Sequence, residues 1–211
     1  EGYDWKNAEK VSDPLSPKFA ALTERVLANR TCGHIVFVDN VAAHRWVRDT
    51  LVNAGIAADR IGLLNAEVAK AAADRQRIAR EFNGDPETET LPKYDVVIAN
   101  AIAYEGIDLQ TRTCAIHHLD LPWDPATLQQ RNGRGVRQGN TFNRVKIHYY
   151  FGTPSCDGRK LSSISNKRSW LISLLKSHDR TTNNPASGEI NIFDLLLDIV
   201  PENERAMIIA Q

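Results

Sequence analysis

Short apolar runs alternate with helical segments along most of this chain, and this alternation constrains the fold more than any other feature of the sequence. The runs are rich in β-branched residues and short enough to be buried strands, at 34–38, 60–64, 94–99, 113–119 and 144–151. Apolar residues recur with helical periodicity at 18–29, 41–54, 69–82, from 125 onward and at 158–176. Strands that alternate with helices indicate βα units. The sequence therefore predicts an α/β fold, with a parallel sheet flanked by helices on both faces.

Polar residues follow the predicted strands at the points where the strands end. Asn40, Asn65 and Asn100 come after the first three strands, and Asp124 comes after the fourth. Asp124 is a favoured N-cap residue and Pro125 suits the first helical position, so we expect a helix to begin there. Ligands of such sheets bind beyond the carboxyl ends of the strands. These four polar residues are therefore predicted to lie along one binding rim.

The stretch LDLPWDPATLQQRNGRGVRQGN, residues 119–140, concentrates basic residues on one predicted helix face. Gln130, Arg134 and Arg137 are spaced i, i+4 and i+7, which places them on the same side of a helix. Arg131 lies beside them, and two glycines let another backbone or a ligand come close, Gly133 and Gly135. Guanidinium groups bind phosphate oxygens through paired hydrogen bonds. This face is predicted to bind phosphate, and a solvated basic surface is the alternative.

The distribution of charge is more informative than its total. Lysine plus arginine and aspartate plus glutamate number 26 each, so the net charge is zero and argues for no particular partner. No acidic residue occurs between residues 125 and 156, whereas five basic residues do: Arg131, Arg134, Arg137, Arg144 and Lys146. Local basicity of this kind indicates binding to phosphate, either of a nucleotide or of a nucleic acid.

The three cysteines, Cys32, Cys114 and Cys156, are far apart in sequence and form no CxxC pair. This spacing predicts neither a disulfide scaffold nor a zinc site, and it suits a reducing, cytoplasmic setting. We expect the cysteines to be buried small residues. No run of 18 apolar residues and no secretory signal is visible, so no membrane partner is predicted.

A phosphate-binding loop of the Walker A type, GxxxxGK[ST], is missing from the sequence. The nearest approach is residues 152–161, where five residues separate the glycines, Arg follows the second glycine and Leu replaces the hydroxyl. The run HIVFVD resembles a Walker B strand, but without a P-loop Asp39 is expected to cap the following helix. His117 and His118 are expected to be core or edge residues, and no metal site is predicted.

Four segments resemble sequence motifs of superfamily 2 helicases. QQRNGRGVRQGN is similar to motif VI, VIANAIAYEGIDLQ to motif V, HIVFVDN to motif IV, and residues 65–82 to the motif IVa region, all in the family's order. The chain thus resembles the C-terminal RecA-like lobe of a Swi/Snf-like helicase. It is most similar to the helicase region of phage and plasmid proteins that join a helicase to an adenine DNA methyltransferase. The resemblance implies a P-loop NTPase-type fold without its own P-loop, followed by a helical C-terminal extension.

The resemblance implies that ATP lies between two lobes, and that the first lobe, absent from this sequence, holds the P-loop and Mg²⁺. By the motif match, Arg137 would be the arginine finger, Arg134 a second γ-phosphate contact and Gln130 an orienting polar group. Gly106 and Asp108 would face the nucleotide, with Asp108 near the ribose. A guanidinium positioned on a transferring phosphoryl group increases the rate of hydrolysis by about 10³- to 10⁵-fold.

The resemblance also implies that the rim contacts the phosphate backbone of DNA. Helix N-termini and small polar side chains bind phosphate without reading sequence. The implied contacts are Asn40, His44, Asn65, Ala66, Asn100 and Ala101, for which ordinary turn and cap roles are the alternative. The sequence departs from motif V at Asn100, where Thr is usual, and at Tyr104, where Gly is frequent. Tyr104 is an alternative stacking residue for a base or for the other lobe.

The predicted organisation is an N-terminal arm at 1–15, the helicase lobe at 16–177, a linker at 178–190 and a helical segment at 191–211. The predicted function is that of the second lobe of an ATP-dependent DNA helicase or translocase, inactive as an ATPase by itself. Its partners would be DNA, the first lobe and a DNA methyltransferase in the same polypeptide. The alternatives are a non-enzymatic nucleic-acid or partner-binding module, and a self-contained P-loop enzyme that uses residues 152–160.

Overall fold

The computed structural model describes residues 16–85, 88–104, 106–152 and 157–176, with five strands in one sheet. The strands are β1 (Gly33–Phe37), β2 (Ile61–Leu64), β3 (Val96–Ala99), β4 (Thr113–His118) and β5 (Lys146–Tyr149). All neighbours pair in parallel, and their order across the sheet is β2-β3-β1-β4-β5. The predicted parallel α/β sheet is confirmed, and all of its predicted strands are present.

Helices connect the strands and cover both faces of the sheet. They are α1 (Pro17–Leu27), α2 (Val41–Asn53), α3 (Ala72–Asn83), α4 (Pro125–Gly133) and α5 (Asp157–Lys176). Short 3-10 helices occur at Ala58–Arg60 and Ala101–Tyr104. Within the described part of the chain, no helix combines the length and the apolar character needed to cross a membrane. The predicted segments at 1–15, 178–190 and 191–211 lie outside the described residues.

The alternation of side chains along the strands divides the core into two clusters. One cluster lies against α3 and joins strand residues to the helix through Ile35, Phe37, Val97, Ile116, Ile78 and Phe82. The other lies against α1 and α2 and contains Val36, Val38, Ile98, Leu22, Val26, Val47 and Leu51. Because successive strand residues face opposite sides, the central strands β1 and β3 are buried on both faces.

Helix α4 begins where the sequence predicts. The Asp124 carboxylate accepts a hydrogen bond of 2.8 Å from the Thr127 backbone N–H, and Pro125 follows as the first helical residue. This contact satisfies one of the backbone donors that a helix leaves unpaired at its start. The hydrogen bonds from Thr127 lower the pKa of the Asp124 carboxyl.

We expect Asp124→Ala to lower the free energy of unfolding by about 1 kcal/mol at neutral pH, because the cap is lost. Since the folded-state pKa is lowered, this stabilisation is present above the unfolded-state pKa and disappears as pH falls through the folded-state pKa. Urea denaturation across this acidic range measures it. Asp124→Asn is the control, because Asn keeps the cap without the charge. Equal stability of the alanine and wild-type chains at neutral pH would contradict the assignment.

The far end of α4 differs from the prediction. The helix ends at Gly133, Arg134 is its C-cap residue, and Arg137 lies beyond it in a turn, so the three predicted side chains do not share one helix face. The backbone at Gly135 passes so close to β4 that a Cβ there would lie 2.7 Å from Thr113 Cγ2. Gly133 has no such close approach, since a Cβ would meet nothing within 4 Å.

Two further predictions are wrong. Asn40, not Asp39, caps α2, since the Asn40 side chain accepts a hydrogen bond of 3.0 Å from the Ala42 N–H. Cys32 and Cys114 form a disulfide although they are 82 residues apart, with their Cα atoms 5.9 Å from each other. The parallel pairing of β1 with β4 brings these residues together, a tertiary contact that cysteine spacing does not reveal.

Candidate functional site

A pocket of about 460 Å³ lies between the C-terminal half of α4 and the loop that leads from β3 to β4. It is lined by Gly106, Asp108, Gln130, Gly133, Arg134 and Arg137. The structure therefore brings together all five residues that the motif match assigns to the nucleotide. They converge although Arg137 is not helical, because the turn after α4 carries its side chain back toward the loop.

The two arginines of this pocket are held in different ways. Arg134 donates from Nη1 to the backbone oxygen of Ile107 over 3.0 Å, which fixes its guanidinium against the loop. Arg137 donates from Nη1 to Asp108 Oδ1 over 2.5 Å, and both side chains are more than half exposed. An exposed ion pair contributes little to stability. Arg137 can therefore exchange its carboxylate partner for another anion at small cost.

Helix α3 positions the loop that carries Gly106 and Asp108. Gln76 Nε2 donates to the Gly106 backbone oxygen over 2.6 Å, and Asn83 Nδ2 donates to the Asp108 backbone oxygen over 2.7 Å. Gly106 has a φ of +64°, a left-handed conformation that favours glycine. These two amides lie 30 and 25 residues from their partners, so the sequence alone does not reveal their role in the site.

The predicted rim residues divide into exposed and buried groups. Asn40, Ala66 and Ala101 are exposed and Asn100 is half-buried, so contact with nucleic acid stays a prediction for them. His44 and Asn65 are only 1% and 2% exposed, and their side chains are joined by a hydrogen bond of 3.1 Å. A direct contact of these two side chains with nucleic acid is therefore not supported.

The His44–Asn65 pair instead holds two rim loops together. His44 Nε2 donates to the Val38 backbone oxygen over 2.8 Å, and Asn65 Oδ1 accepts from the backbone N–H groups of Glu67 and Val68. Burial lowers the pKa of His44, which favours the neutral ring whose Nδ1 accepts from Asn65. The pair thus links the segment after β1 to the segment after β2.

A second pocket, of about 380 Å³, lies beside this pair. Its lining includes two basic side chains that were not predicted from the sequence, Arg45 and Arg48 of α2, together with Asp49, Glu67 and Val68. The arginines are three residues apart and lie away from the buried Val47 and Leu51. This spacing is a weak signal in the sequence, because it matches any solvated helix face.

Arg131 is the most buried charged residue of the region and another that sequence reasoning misjudged. Its side chain is fully buried, donating to both Asp39 carboxylate oxygens over 2.7 Å and to Asp120 Oδ1 over 3.1 Å. Asp120 in turn accepts from the Asp39 backbone N–H over 2.6 Å. Asp39 and Asp120 follow β1 and β4, so Arg131 ties α4 to the carboxyl ends of two neighbouring strands.

His117 and His118, which were predicted to be core or edge residues, are core residues, because both are fully buried. His118 Nε2 lies 2.8 Å from Asn132 Oδ1 of α4, which requires a proton on Nε2. Burial lowers the pKa of His118 to about 4. His118 is therefore a neutral donor that fixes the inner side of α4 near the pocket.

This chain is similar to known proteins along most of its length. The model of the helicase conserved C-terminal domain matches residues 17–139. The chain is 27% identical over 224 residues to Defense against restriction protein B of Escherichia phage P1, a match that covers 86% of this chain. The chain spans about a tenth of the length of that relative, since the match covers 10% of it.

Solved structures share the fold. The C-terminal part of the Fun30 ATPase domain matches 71% of this chain and 45% of its own, with a TM-score of 0.59 and 18% identity. The C-terminal domain of the DEAD-box protein Dbp5 matches 70% of this chain and 76% of its own, with a TM-score of 0.52 and 25% identity. The predicted RecA-like helicase fold is confirmed. Because the family model spans more than half of its residues, this chain belongs to the family of helicase conserved C-terminal domains.

Proposed function

We propose that this chain is the second lobe of an ATP-dependent DNA helicase or translocase and supplies half of its ATPase site. One observation carries the proposal: Gly106, Asp108, Gln130, Arg134 and Arg137 line a single pocket. These residues come from two chain segments that are separate in sequence and that resemble motifs V and VI. A solvated basic surface would not require this convergence with an acidic residue and an ordered loop.

The donors of the pocket fit a nucleotide triphosphate. Two guanidiniums suit phosphate oxygens, the Asp108 carboxylate suits a ribose hydroxyl, and a Cβ at Gly106 or Gly133 would meet nothing within 4 Å. ATP bound there, with Mg²⁺ held by another lobe, supplies the phosphoryl group that is transferred to water. In this proposal Arg137 leaves Asp108 to neutralise charge on the γ-phosphoryl oxygens. Arg134 adds a second contact to the γ-phosphate, and Gln130 is the orienting polar group beside it.

The nucleic-acid contacts are assigned to the exposed rim. Asn40, Ala66, Asn100 and Ala101 would approach the DNA backbone directly, whereas His44 and Asn65 would hold the rim loops in place. Backbone contacts of this kind bind DNA without reading its sequence. Lobe closure on ATP and opening after hydrolysis would shift these loops along the strand. The first lobe, and a DNA methyltransferase in the same polypeptide, are proposed partners, and we expect the complex to act in the cytoplasm.

The proposal predicts that the pure 211-residue chain does not hydrolyse ATP, because it lacks the P-loop lysine and the magnesium-binding acid. A longer polypeptide with both lobes is expected to show ATP turnover that rises when DNA is added. A coupled phosphate-release assay on both proteins measures this. If the pure chain hydrolyses ATP and Arg137→Ala abolishes this turnover, the half-site proposal is wrong.

The same experiment distinguishes the main alternative. A longer polypeptide that binds DNA but shows no DNA-stimulated turnover would indicate a non-enzymatic binding module with a helicase fold. If the chain is instead a self-contained P-loop enzyme, the pure chain should hydrolyse ATP, and this turnover should depend on Lys160. Residues 153–156 of that loop lie outside the described residues.

A further inference from the structure

A group of metal-ligating side chains lies at the amino end of β1 and β4, away from the rim at their carboxyl ends. The Sγ atoms of Cys32 and Cys114 each lie 3.9 Å from Nε2 of His34. The three potential ligand atoms are all within 4.8 Å of one another. Cys32 and His34 are buried, whereas Cys114 is partly exposed and so provides an entry path. We propose that, with both cysteines reduced, these three residues bind Zn²⁺ as a structural site.

The two sulfur–nitrogen distances are close to those that a tetrahedral zinc ion requires. Zinc–sulfur bonds of about 2.3 Å and zinc–nitrogen bonds of about 2.0 Å place sulfur and nitrogen ligands about 3.5 Å apart. The two sulfur–nitrogen distances of 3.9 Å therefore need to shorten only slightly. Two thiolates and an imidazole form a ligand set that selects zinc over Mg²⁺ or Ca²⁺.

The disulfide and the metal site are alternative states of the same cysteines. A phosphine reductant with one water delivers two electrons and two protons to the Cys32–Cys114 bond, giving two thiols and the phosphine oxide. Rotation of the two side chains then increases the sulfur–sulfur distance to the value that two ligands of a tetrahedral zinc ion require. Zn²⁺ displaces both thiol protons, which pass to solvent, and forms two zinc–thiolate bonds.

A hydrogen-bonded chain is placed to orient the imidazole. His34 Nε2 lies 2.8 Å from the Asn29 backbone oxygen, so it carries the proton, and His34 Nδ1 accepts from His117 Nε2 over 3.0 Å. His117 Nδ1 accepts from the Tyr150 hydroxyl over 2.8 Å. When His34 Nε2 binds zinc, its proton moves to Nδ1, which donates to His117. His117 then donates to the Tyr150 oxygen, so the donor and the acceptor exchange roles in each of these hydrogen bonds.

The same change releases an oxygen ligand. The Asn29 backbone oxygen accepts from His34 Nε2 and lies 3.4 Å from Cys32 Sγ. Once the imidazole no longer donates to it, this oxygen can complete four-coordination, or a water can enter beside Cys114. The zinc ion would join the amino ends of β1 and β4 through residues that do not line the nucleotide pocket. It therefore holds the two strands together independently of the proposed ATPase role.

Cobalt(II) titration of the whole 211-residue chain tests the site. Protein reduced with a phosphine and kept anaerobic should bind one Co²⁺, with sulfur-to-cobalt charge-transfer absorption and the strong visible bands of tetrahedral cobalt. Equimolar Zn²⁺ should remove these bands. His117→Gln is expected to weaken Co²⁺ binding by about 10- to 100-fold, because the partner that fixes the His34 tautomer is changed.

Matched cysteine variants locate the signal. Cys114→Ser and Cys32→Ser should lose the charge-transfer band, whereas Cys156→Ser should keep it. Circular dichroism of each variant reports whether it folds. A second measurement needs no variant: it is the amount of zinc that the reduced wild-type protein retains after dialysis. Reduced wild-type chain that takes up no Co²⁺, or a band that depends on Cys156, would overturn the site. Neither result bears on ATP hydrolysis.

Discussion

Replacing Arg137 by alanine in a polypeptide that contains both lobes is expected to lower DNA-stimulated ATP hydrolysis by about 10³-fold or more. The physical reason is that negative charge develops on the transferring phosphoryl oxygens, and a positioned guanidinium stabilises it in the transition state. A loss of this size corresponds to about 4 kcal/mol of transition-state stabilisation. ATP binding should stay near its wild-type strength, because the phosphates are held mainly by the other lobe. Steady-state kcat and the affinity for a non-hydrolysable ATP analogue measure the two quantities separately.

Two controls make the result specific to the pocket. Arg77→Ala removes another exposed arginine of this chain, one that pairs with Glu81 of its own helix over 3.2 Å. Its turnover should remain within about two-fold of wild type, because an exposed pair of this kind contributes little. Arg137→Lys keeps the charge but loses the planar fork, so most of the loss should persist. Turnover of Arg137→Ala within a few-fold of wild type would remove Arg137 from the finger role.

The sequence predicts the sheet well because burial on both faces leaves a strong local pattern. Strand β3 is a continuous apolar run, β1 is apolar apart from His34, and each strand is buried throughout. The start of α4 is equally local, since Asp124 and Thr127 are three residues apart. By contrast, the end of α4 depends on the close approach of Gly135 to Thr113 and Ile116, residues of another element. Helical spacing therefore extended the helix too far.

The parts of the site that the sequence missed depend on contacts between distant segments. His44 and Asn65 follow different strands as rim residues should, yet their mutual hydrogen bond keeps both side chains inside. The Cys32–Cys114 pair exists only because β1 lies beside β4. Arg131 is one residue from Gln130 and therefore points away from the pocket, toward the strand ends. Motif resemblance identified the pocket residues without identifying the groups that hold them in place.

We expect Arg131→Met to lower the free energy of unfolding by about 3 to 5 kcal/mol. Arg131 is fully buried, and its removal leaves the Asp120 carboxylate, which is 28% exposed, without its cation. Asp39 loses its two bonds of 2.7 Å at the same time but is half exposed and can be hydrated. Most of the cost should therefore come from Asp120. Urea denaturation at neutral pH measures the loss.

A double-mutant cycle with Asp120→Asn identifies the cause of this loss. If an uncompensated carboxylate is responsible, Arg131→Met should cost much less in the Asp120→Asn background than in the wild type. Burial raises the pKa of Asp120, with the Asp39 charge acting in the same direction. A carboxyl with a raised folded-state pKa destabilises the fold as pH rises through that pKa, so the cost of Arg131→Met should shrink as pH falls. Additive effects of the two substitutions, with no dependence on pH, would instead assign Arg131 a packing role beneath the rim.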